Sequence, residues 1–303
     1  MYLKMKLKHL QSALSSIPTQ QFPTPNIQLE QYATSPTLTS HVLFTAWNTY
    51  DDIGPGKQVA DLGCGTGMLA TGCAILGSSL VLCIDCDIDA LSIAKENMGA
   101  FGFCRTEDEE NSTGGDSNES SEEDENEGVR VEFILAKVRH ESVETPSQHR
   151  KSRGGGSSKG RNFNHGKYVK GATRGGRGRE QERQERIGQD KNNSENTDDG
   201  LPLQSKCVDT VLTNPPFGTK HNAGIDVTFL RTATRLARRA VYSFHKSSTR
   251  QYLLKTVNSW GYEVQVIAQM KFDIPNTYKF HQKSSVDVEV DLIRIDLTSS
   301  LDS

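Results

Sequence analysis

The chain has 303 residues and a formal net charge of −3, which is sufficient for one α/β domain with additional segments. It contains no apolar span of transmembrane length and no secretory signal pattern, so we predict no membrane association and an intracellular location. The small net charge would by itself argue against an RNA-binding protein. It is, however, the average of two oppositely charged blocks.

The first predicted helix is the amphipathic, lysine-containing start MYLKMKLKHL, and the first chemical motif is VADLGCGTG at residues 59–67. Here a buried strand ends, and the chain turns tightly into a helical stretch at 68–74. Glycines allow backbone N–H groups to approach a ligand closely at a helix N-terminus. Asp61 precedes the first glycine, at a place suited to an amino or hydroxyl donor. The motif therefore predicts a cofactor contact at Asp61, Gly63, Gly65 and Gly67.

A second strand, 80–84, ends in Asp85 about twenty residues later. An acid at this position accepts hydrogen bonds from ribose hydroxyls in nucleotide-binding folds. The glycine spacing is GxGxG and not the GxGxxG of dinucleotide sites. The pair therefore predicts a nucleoside-bearing cofactor without a pyrophosphate, for which S-adenosyl-L-methionine is the natural candidate.

Two charged blocks flank the predicted third strand at 129–138. Residues 104–128 carry one Arg against eleven acids, and residues 150–186 hold twelve Lys or Arg against three Glu. Both lack the apolar content of a core, so we predict disordered insertions at 104–128 and 139–205. The basic block resembles an arginine-glycine RNA-binding tract, but a tolerated surface expansion explains it equally well.

The apolar run 208–212 predicts a fourth strand, and the residues that follow it are Asn214, Pro215, Pro216 and Phe217. The prolines fix φ and donate no hydrogen bond, so the backbone offers carbonyl acceptors in a stiff bend. Asn214 adds a side-chain carbonyl, and Phe217 offers an aromatic face. These four residues form a candidate receptor for a flat group that bears an NH₂. A simple strand-ending turn is the alternative.

The remaining pattern predicts a doubly wound α/β sheet. A helix at 228–239, a strand at 240–244 and a helix at 249–260 precede two last strands at 262–270 and 286–297. The alternation of the final strand suits an antiparallel partner at that edge of the sheet. The C-terminal part of the domain would then cover 206–297, followed by a tail at 298–303.

Cysteines and histidines give no metal site. Cys83 and Cys86 are spaced C-x-x-C, but no second pair or His cluster completes a zinc site. His245 and His281 stand in basic runs, where either a rim for substrate phosphates or a plain solvated surface is possible.

The order of a glycine loop followed by Asn-Pro-Pro-aromatic is that of the amino methyltransferases, and five segments resemble the methyltransferase-like protein 5 family more specifically. The match covers roughly 1–103, 129–138 and 206–296. The segments are LEQYATSP (29–36), NTYDDI (48–53), NPPFGTK (214–220), AVYSFHKSSTR (240–250) and YKFHQKSSVDVEVDLIR (278–294).

This resemblance implies a Rossmann-like class I methyltransferase with a seven-stranded, mostly parallel sheet and an antiparallel edge strand. The implied activity is formation of N6-methyladenosine in small-subunit ribosomal RNA, in a heterodimer with a small zinc-binding activator, the TRM112-like subunit. A nuclear, nucleolar or cytoplasmic location follows from that RNA substrate. Carried over by position, the cofactor contacts are Gln31, Thr34, Gly63, Thr66, Met68 and Asp85.

One position departs from the family pattern. Where the family usually has an acid that meets the cofactor's adenine amino group, the run VEFILAKV (131–138) has Lys137, which cannot accept a hydrogen bond from an amine. Backbone groups around Val138 could hold the adenine instead, or the insertion could have shifted the alignment. Val138 is kept as a weak cofactor candidate.

The acceptor chemistry follows from the amine. The exocyclic nitrogen of adenine is a poor nucleophile because its lone pair is delocalised, so two acceptors on its N–H bonds would help to aim the lone pair. Asn214 and the Pro215 carbonyl can supply them, and Phe217 can stack an extruded base. Alternatives are methylation of a guanine amino group or a glutamine amide, or a catalytically weak RNA-binding assembly factor.

Overall fold

The computed structural model describes residues 5–104, 128–139, 199–218, 222–275 and 285–300. These residues belong to one compact unit. Most of the two predicted insertions and His281 lie outside the described residues.

The described residues form a seven-stranded sheet in the order β3-β2-β1-β4-β5-β7-β6. Strand β7 runs antiparallel to both β5 and β6, and the other neighbouring pairs are parallel. The predicted fold class is confirmed, and the antiparallel strand lies one position inside the edge that β6 forms. The bounds are β1 (Gln58–Leu62), β2 (Leu80–Asp85), β3 (Arg130–Leu135), β4 (Val208–Thr213), β5 (Ala237–Lys246), β6 (Tyr262–Pro275) and β7 (Ser285–Ser300).

Six α-helices connect or precede these strands in the described part of the chain. Ser35 caps α2 by accepting from the Leu38 N–H, and Pro36 occupies the first helical position, where its missing N–H costs nothing. None of the described helices has the length and apolar character needed to cross a bilayer. The bounds are α1 (Leu7–Ser15), α2 (Pro36–Asn48), α3 (Met68–Ile75), α4 (Ile88–Gly99), α5 (Ile225–Leu236) and α6 (Arg250–Ser259).

Both faces of the sheet are buried. In β2, Val81 and Cys83 join the core cluster that contains residues of α1 to α4, whereas Leu82 and Ile84 join the cluster that contains residues of α5 and α6. Burial on both faces is why the central strands read as nearly continuous apolar runs. It also leaves the carboxyl ends of the strands as the place for polar side chains.

Two element boundaries differ from the sequence prediction. The helical period of α5 continues past Leu236, but Ala237 is extended (φ −83°, ψ 145°) and pairs with Val208 in the sheet. Pairing therefore overrides local helix propensity over 237–239. Strand β3 ends at Leu135, opposite Asp85, and 136–139 are irregular.

The predicted end of the basic insertion at 205 is also wrong. Arg235 makes a two-pronged ion pair with Asp199, with N–O distances of 2.7 and 2.9 Å, and Leu201 is buried in the core. Residues 199–205 thus belong to the fold. Their mixed, largely polar composition gave no signal of this.

Candidate active site

The glycine-rich turn joins β1 to α3 in a left-handed backbone conformation. Gly65 (φ 54°) and Gly67 (φ 77°) both have φ values that disfavour other residues. A Cβ on Gly67 would also lie 2.9 Å from the Ala94 Cβ, and one on Gly65 would lie 3.0 Å from the Phe22 ring. The turn therefore requires glycine both for its path and for its close packing.

Asp61 is buried beneath this turn. Its Oδ2 accepts a hydrogen bond from the N–H of Ala70, in the first turn of α3, at 3.0 Å. Its Oδ1 is buried and has no hydrogen-bond partner among the described residues. Burial raises the pKa of Asp61 to about 7. A carboxyl group with a pKa near 7 and one oxygen without a partner can bind an amine or a hydroxyl group.

Asp85, at the end of β2, is hydrogen-bonded to the glycine turn. Its Oδ2 accepts from the Gly65 N–H at 2.9 Å and its Oδ1 from the Asp87 N–H at 3.0 Å. Burial raises its pKa, although backbone N–H groups partly oppose the shift. Its predicted ribose contact stays a prediction.

Asn214 follows β4 and has one half of its amide engaged. The Nδ2 donates to the Thr34 hydroxyl at 2.9 Å, while the Oδ1 is buried and has no hydrogen-bond partner in the described part of the chain. A buried amide oxygen without a donor is costly, unless a ligand supplies one. The free acceptor is the one expected for an amine substrate.

The residues after Asn214 are held by the segment before α2. The hydroxyl of Tyr32 donates to the Pro215 carbonyl at 3.2 Å. Glu30 Oε2 accepts from the Phe217 N–H at 2.9 Å. Burial and then the Glu30 charge raise the pKa of Tyr32 well above its usual value, so its hydroxyl stays protonated. Pro216 is partly exposed next to these bonds.

Phe217 is nearly buried in an aromatic cluster. The Tyr32 ring stacks on it with centroids 5.3 Å apart and an interplanar angle of 29°. The Phe272 ring packs edge-on at 6.4 Å, and the Lys246 Nζ lies 5.6 Å from the Phe217 centroid. Only 8% of Phe217 is exposed, so an incoming base would need a local opening to stack on it.

The remaining predicted cofactor residues fall on both sides of the turn. Gln31 donates through Nε2 to Asp87 Oδ2 at 2.6 Å and accepts the Asn26 N–H at 2.7 Å. Thr66 and Met68 are buried in the turn and the start of α3. The turn is anchored further by Asn97, whose Nδ2 donates to the Thr66 carbonyl at 2.8 Å.

Val138 and Lys137 follow β3. Val138 is 6% exposed and packs in the core cluster that includes Leu82 and Ile84, so its side chain is a core side chain. Burial raises the pKa of the Cys86 thiol, and the charge of the exposed Lys137 partly opposes this shift. The N–H of Ala136, just before Lys137, donates to the Asp85 carbonyl at 2.8 Å. Lys137 therefore lies near the end of β2, and the predicted backbone contact at Val138 stays untested.

Both readings of His245 are wrong, because this residue is 1% exposed on β5. Its Nε2 lies 2.8 Å from the Ser243 Oγ and its Nδ1 lies 3.5 Å from Asp226 Oδ2. The polar residues that follow His245 in HKSSTR give no sign that its side chain is buried. Among the described residues no group of His, Cys, Asp or Glu could hold a metal ion.

Sequence reasoning missed Glu30 and Tyr32 as parts of the site. Both lie in the quoted segment LEQYATSP, where Gln31 and Thr34 were assigned to the cofactor. Glu30, Tyr32 and Thr34 are spaced two residues apart, and each hydrogen-bonds to the acceptor motif. This spacing was the signal that the sequence offered.

Curated relatives match the chain over nearly its whole length. The protein named rRNA N(6)-adenosine-methyltransferase METTL5 from Danio rerio is 35% identical over 290 residues, which cover 96% of this chain and 98% of that relative. The Drosophila melanogaster protein named rRNA N(6)-adenosine-methyltransferase Mettl5 is 31% identical over 294 residues, which cover 97% and 98%.

The fold has a solved counterpart. The Pyrococcus horikoshii protein PH1948 aligns over 97% of this chain and 98% of its own, with a TM-score of 0.59 and 24% identity. The family model of ribosomal protein L11 methyltransferase (PrmA) matches residues 39–156, which include the glycine turn. Strand order and carboxyl-edge motifs thus define a class I, Rossmann-like methyltransferase. Within that class, the chain belongs to the METTL5 family of its animal relatives.

Proposed function

We propose that this chain methylates the exocyclic N6 of an adenosine in small-subunit ribosomal RNA, with S-adenosyl-L-methionine as methyl donor. The observation that carries the proposal is the buried, unpartnered Asn214 Oδ1 beside the Pro215 carbonyl. Two acceptors at the carboxyl end of a central strand suit a planar NH₂ group. The names of the full-length relatives support ribosomal RNA as the carrier of that group.

The donor side of the site fits the proposed cofactor. The free Oδ1 of Asp61 suits an ammonium group, and Asp85 at the end of β2 suits ribose hydroxyls. Gly63 and Gly65 are partly exposed in the glycine turn, where the absence of side chains would let a ligand come close to the backbone. When bound, S-adenosyl-L-methionine would supply a methyl group on a sulfonium, which is electrophilic without acid catalysis.

The acceptor side works through position. Asn214 Oδ1 and the Pro215 carbonyl would each accept a hydrogen bond from one N–H group of the amine. This arrangement turns the nitrogen lone pair out of conjugation with the ring. Neither group is a base at neutral pH, so the proton released from nitrogen passes to water. After a local opening exposes the Phe217 ring, contact with this ring would hold the extruded base while the new N–C bond forms.

The surroundings of Phe217 support a nucleic-acid acceptor. Lys246 lies over the ring and also lines a neighbouring cavity of about 510 Å³. Hydroxyl, amide and charged side chains share this cavity, so it could take a nucleotide next to the target. Its other lining residues are Ser247, Ser248, Arg250, Gln269, Val288 and Glu289.

We propose a TRM112-like activator at the outer edge of β3. This strand forms one edge of the sheet, and Leu135 is 57% exposed at its end. An edge that has no paired strand among the described residues and carries an exposed apolar side chain favours coverage by a partner strand or helix. A nuclear, nucleolar or cytoplasmic location would follow from an rRNA substrate.

The decisive experiment compares acceptors with radiolabelled S-adenosyl-L-methionine. The full chain, alone and co-expressed with the activator, is offered small-subunit rRNA and a glutamine peptide. The labelled nucleotide in the rRNA is mapped, and a second rRNA with that nucleotide replaced serves as the control. We expect label only in adenosine of the intact RNA. Label in guanosine or in the peptide would refute the proposal, and no cofactor binding by calorimetry in either preparation would favour a non-catalytic assembly factor.

A further inference from the structure

The segment at residues 30–34 holds the acceptor motif by alternate side chains. Glu30 accepts the Phe217 N–H, and Tyr32 both donates to the Pro215 carbonyl and stacks on the Phe217 ring. Each of these hydrogen bonds joins residues that are more than 180 positions apart in the chain. Tertiary contact with this segment, and not the Asn-Pro-Pro-Phe sequence alone, therefore fixes where the acceptor oxygens lie.

Thr34 holds the Asn214 side chain by a hydrogen bond. It is 6% exposed, and its hydroxyl accepts from Nδ2 at 2.9 Å. Because an amide carries its donor and its acceptor on opposite corners, the occupied Nδ2 leaves Oδ1 as the free group. Without the hydroxyl, the buried side of the amide would lose its hydrogen-bond partner, and the position of Oδ1 would be less tightly fixed.

The intervening residue faces the cofactor side. Gln31 Nε2 donates to Asp87 Oδ2, while Asp87 Oδ1 caps α4 and the Asp87 N–H binds Asp85. One short segment is therefore hydrogen-bonded both to the acceptor motif and to the end of β2.

We propose that residues 30–34 form a positioning strap, in which Thr34 and Tyr32 set the acceptor oxygens of Asn214 and Pro215. Thr34 then acts on the acceptor side, in addition to any contact with the cofactor. The inference rests on the proposed methyl transfer to an amine and names residues that orient it. Gln31 ties the strap to the end of β2 through its hydrogen bond to Asp87.

The first test uses Thr34→Val, which keeps the shape and removes the hydroxyl, with Thr34→Ser as the matched rescue. Steady-state assays use the full chain in whichever preparation, alone or with the activator, gives an active unsubstituted chain. We expect kcat to fall roughly ten- to a hundredfold for Thr34→Val. The KM for S-adenosyl-L-methionine should change little, and Ser should restore most of the rate. A weakened cofactor affinity with an unchanged kcat would overturn the proposal.

The second test uses Tyr32→Phe, which keeps the ring stack and loses the bond to the Pro215 carbonyl. We expect kcat to fall severalfold with thermal stability nearly retained, and the exposed Tyr252→Phe on α6 serves as a control. A higher kcat would contradict the inference, since the hydroxyl would then be occupying a lone pair that the substrate needs.

A readout without turnover separates the strap from the proposed function. The side-chain amide resonances of Asn214, assigned by its substitution in the ¹⁵N-labelled chain, should shift in Thr34→Val and return in Thr34→Ser. Unchanged resonances in Thr34→Val would overturn the strap. Absence of methyl transfer by the unsubstituted chain would instead refute the proposed function and leave this NMR result to decide the strap.

Discussion

The backbone N–H of Arg139 donates to the carbonyl of Asp199 over 2.8 Å. The two ends of the segment between them are therefore joined within the fold, although many residues separate them in sequence. Asp199 is fixed in turn by its ion pair with Arg235. The true boundary of the basic insertion follows from these bonds.

Replacement of residues 141–198 by a short Gly-Ser linker should leave the thermal unfolding midpoint nearly unchanged, because it keeps Arg139 and Asp199 and shortens the connection between them. Deletion of 139–205 should cost several kcal/mol, about 3–5 for the unpaired Arg235 alone. Thermal unfolding of the two variants measures the difference. Equal losses would mean that residues 199–205 contribute nothing to the fold.

The same linker variant tests RNA binding by the basic block. If its cations contact phosphates, the slope of log K against log salt should become shallower by about 0.7 for each lost contact with single-stranded RNA. Filter binding of rRNA fragments at several salt concentrations gives the slope. An unchanged slope would assign the block to a tolerated surface expansion.

Asp61 should make cofactor binding depend on pH. Its pKa is raised to about 7 by burial, so the carboxyl is mostly protonated below that value in the free protein. If the cofactor's ammonium binds the ionised form, affinity should rise up to about tenfold per pH unit between pH 5.5 and 7. Calorimetry at several pH values measures this rise, and Asp61→Asn should weaken binding and flatten the profile. A profile that stays as steep in the variant would place the titrating group elsewhere.

The raised pKa of Asp61 should also make the free energy of unfolding fall as the pH rises. The folded protein keeps the Asp61 proton up to about pH 7, whereas the unfolded chain loses it near its ordinary pKa. The contribution to the free energy of unfolding is therefore most favourable below the unfolded pKa and falls as pH rises towards 7. The total fall is on the order of 4 kcal/mol at most. Urea unfolding of the cofactor-free chain should show less of this fall in Asp61→Asn.

The sequence was informative where chemistry is local. Strand, glycine turn and helix follow one another at Asp61 to Met68. Apolar runs mark the strand that ends at Asp85 and the strand that ends just before Asn214. Because parallel strands end at one edge, these residues could be brought together from pattern alone. The strap could not, since Thr34 and Asn214 meet only through the tertiary fold. Burial of His245 likewise depends on its position in β5 and not on its polar neighbours.

Leu135 tests the proposed activator surface. Leu135→Asp at the exposed end of β3 should reduce co-purification with the activator at least tenfold, because a charge would be buried in the contact. The fold should tolerate the change, since the side chain is already 57% exposed. Tyr252→Asp, at an exposed aromatic on α6, is the matched control. Equal recovery of the activator with both variants would exclude this edge as its binding surface.

Substitutions of Asn214 and Asp85 should affect different steps, methyl transfer to the amine and binding of the cofactor. Asn214→Ala removes an acceptor of the amine, so kcat should fall a hundredfold or more while cofactor affinity stays within about twofold. Asp85→Ala should raise the cofactor Kd about tenfold or more, and it should lower thermal stability because the N–H groups of Gly65 and Asp87 lose their acceptor. Calorimetry and single-turnover assays on both variants distinguish the two effects. Loss of cofactor binding in Asn214→Ala, or normal cofactor affinity in Asp85→Ala, would contradict the assignment of acceptor and donor sides.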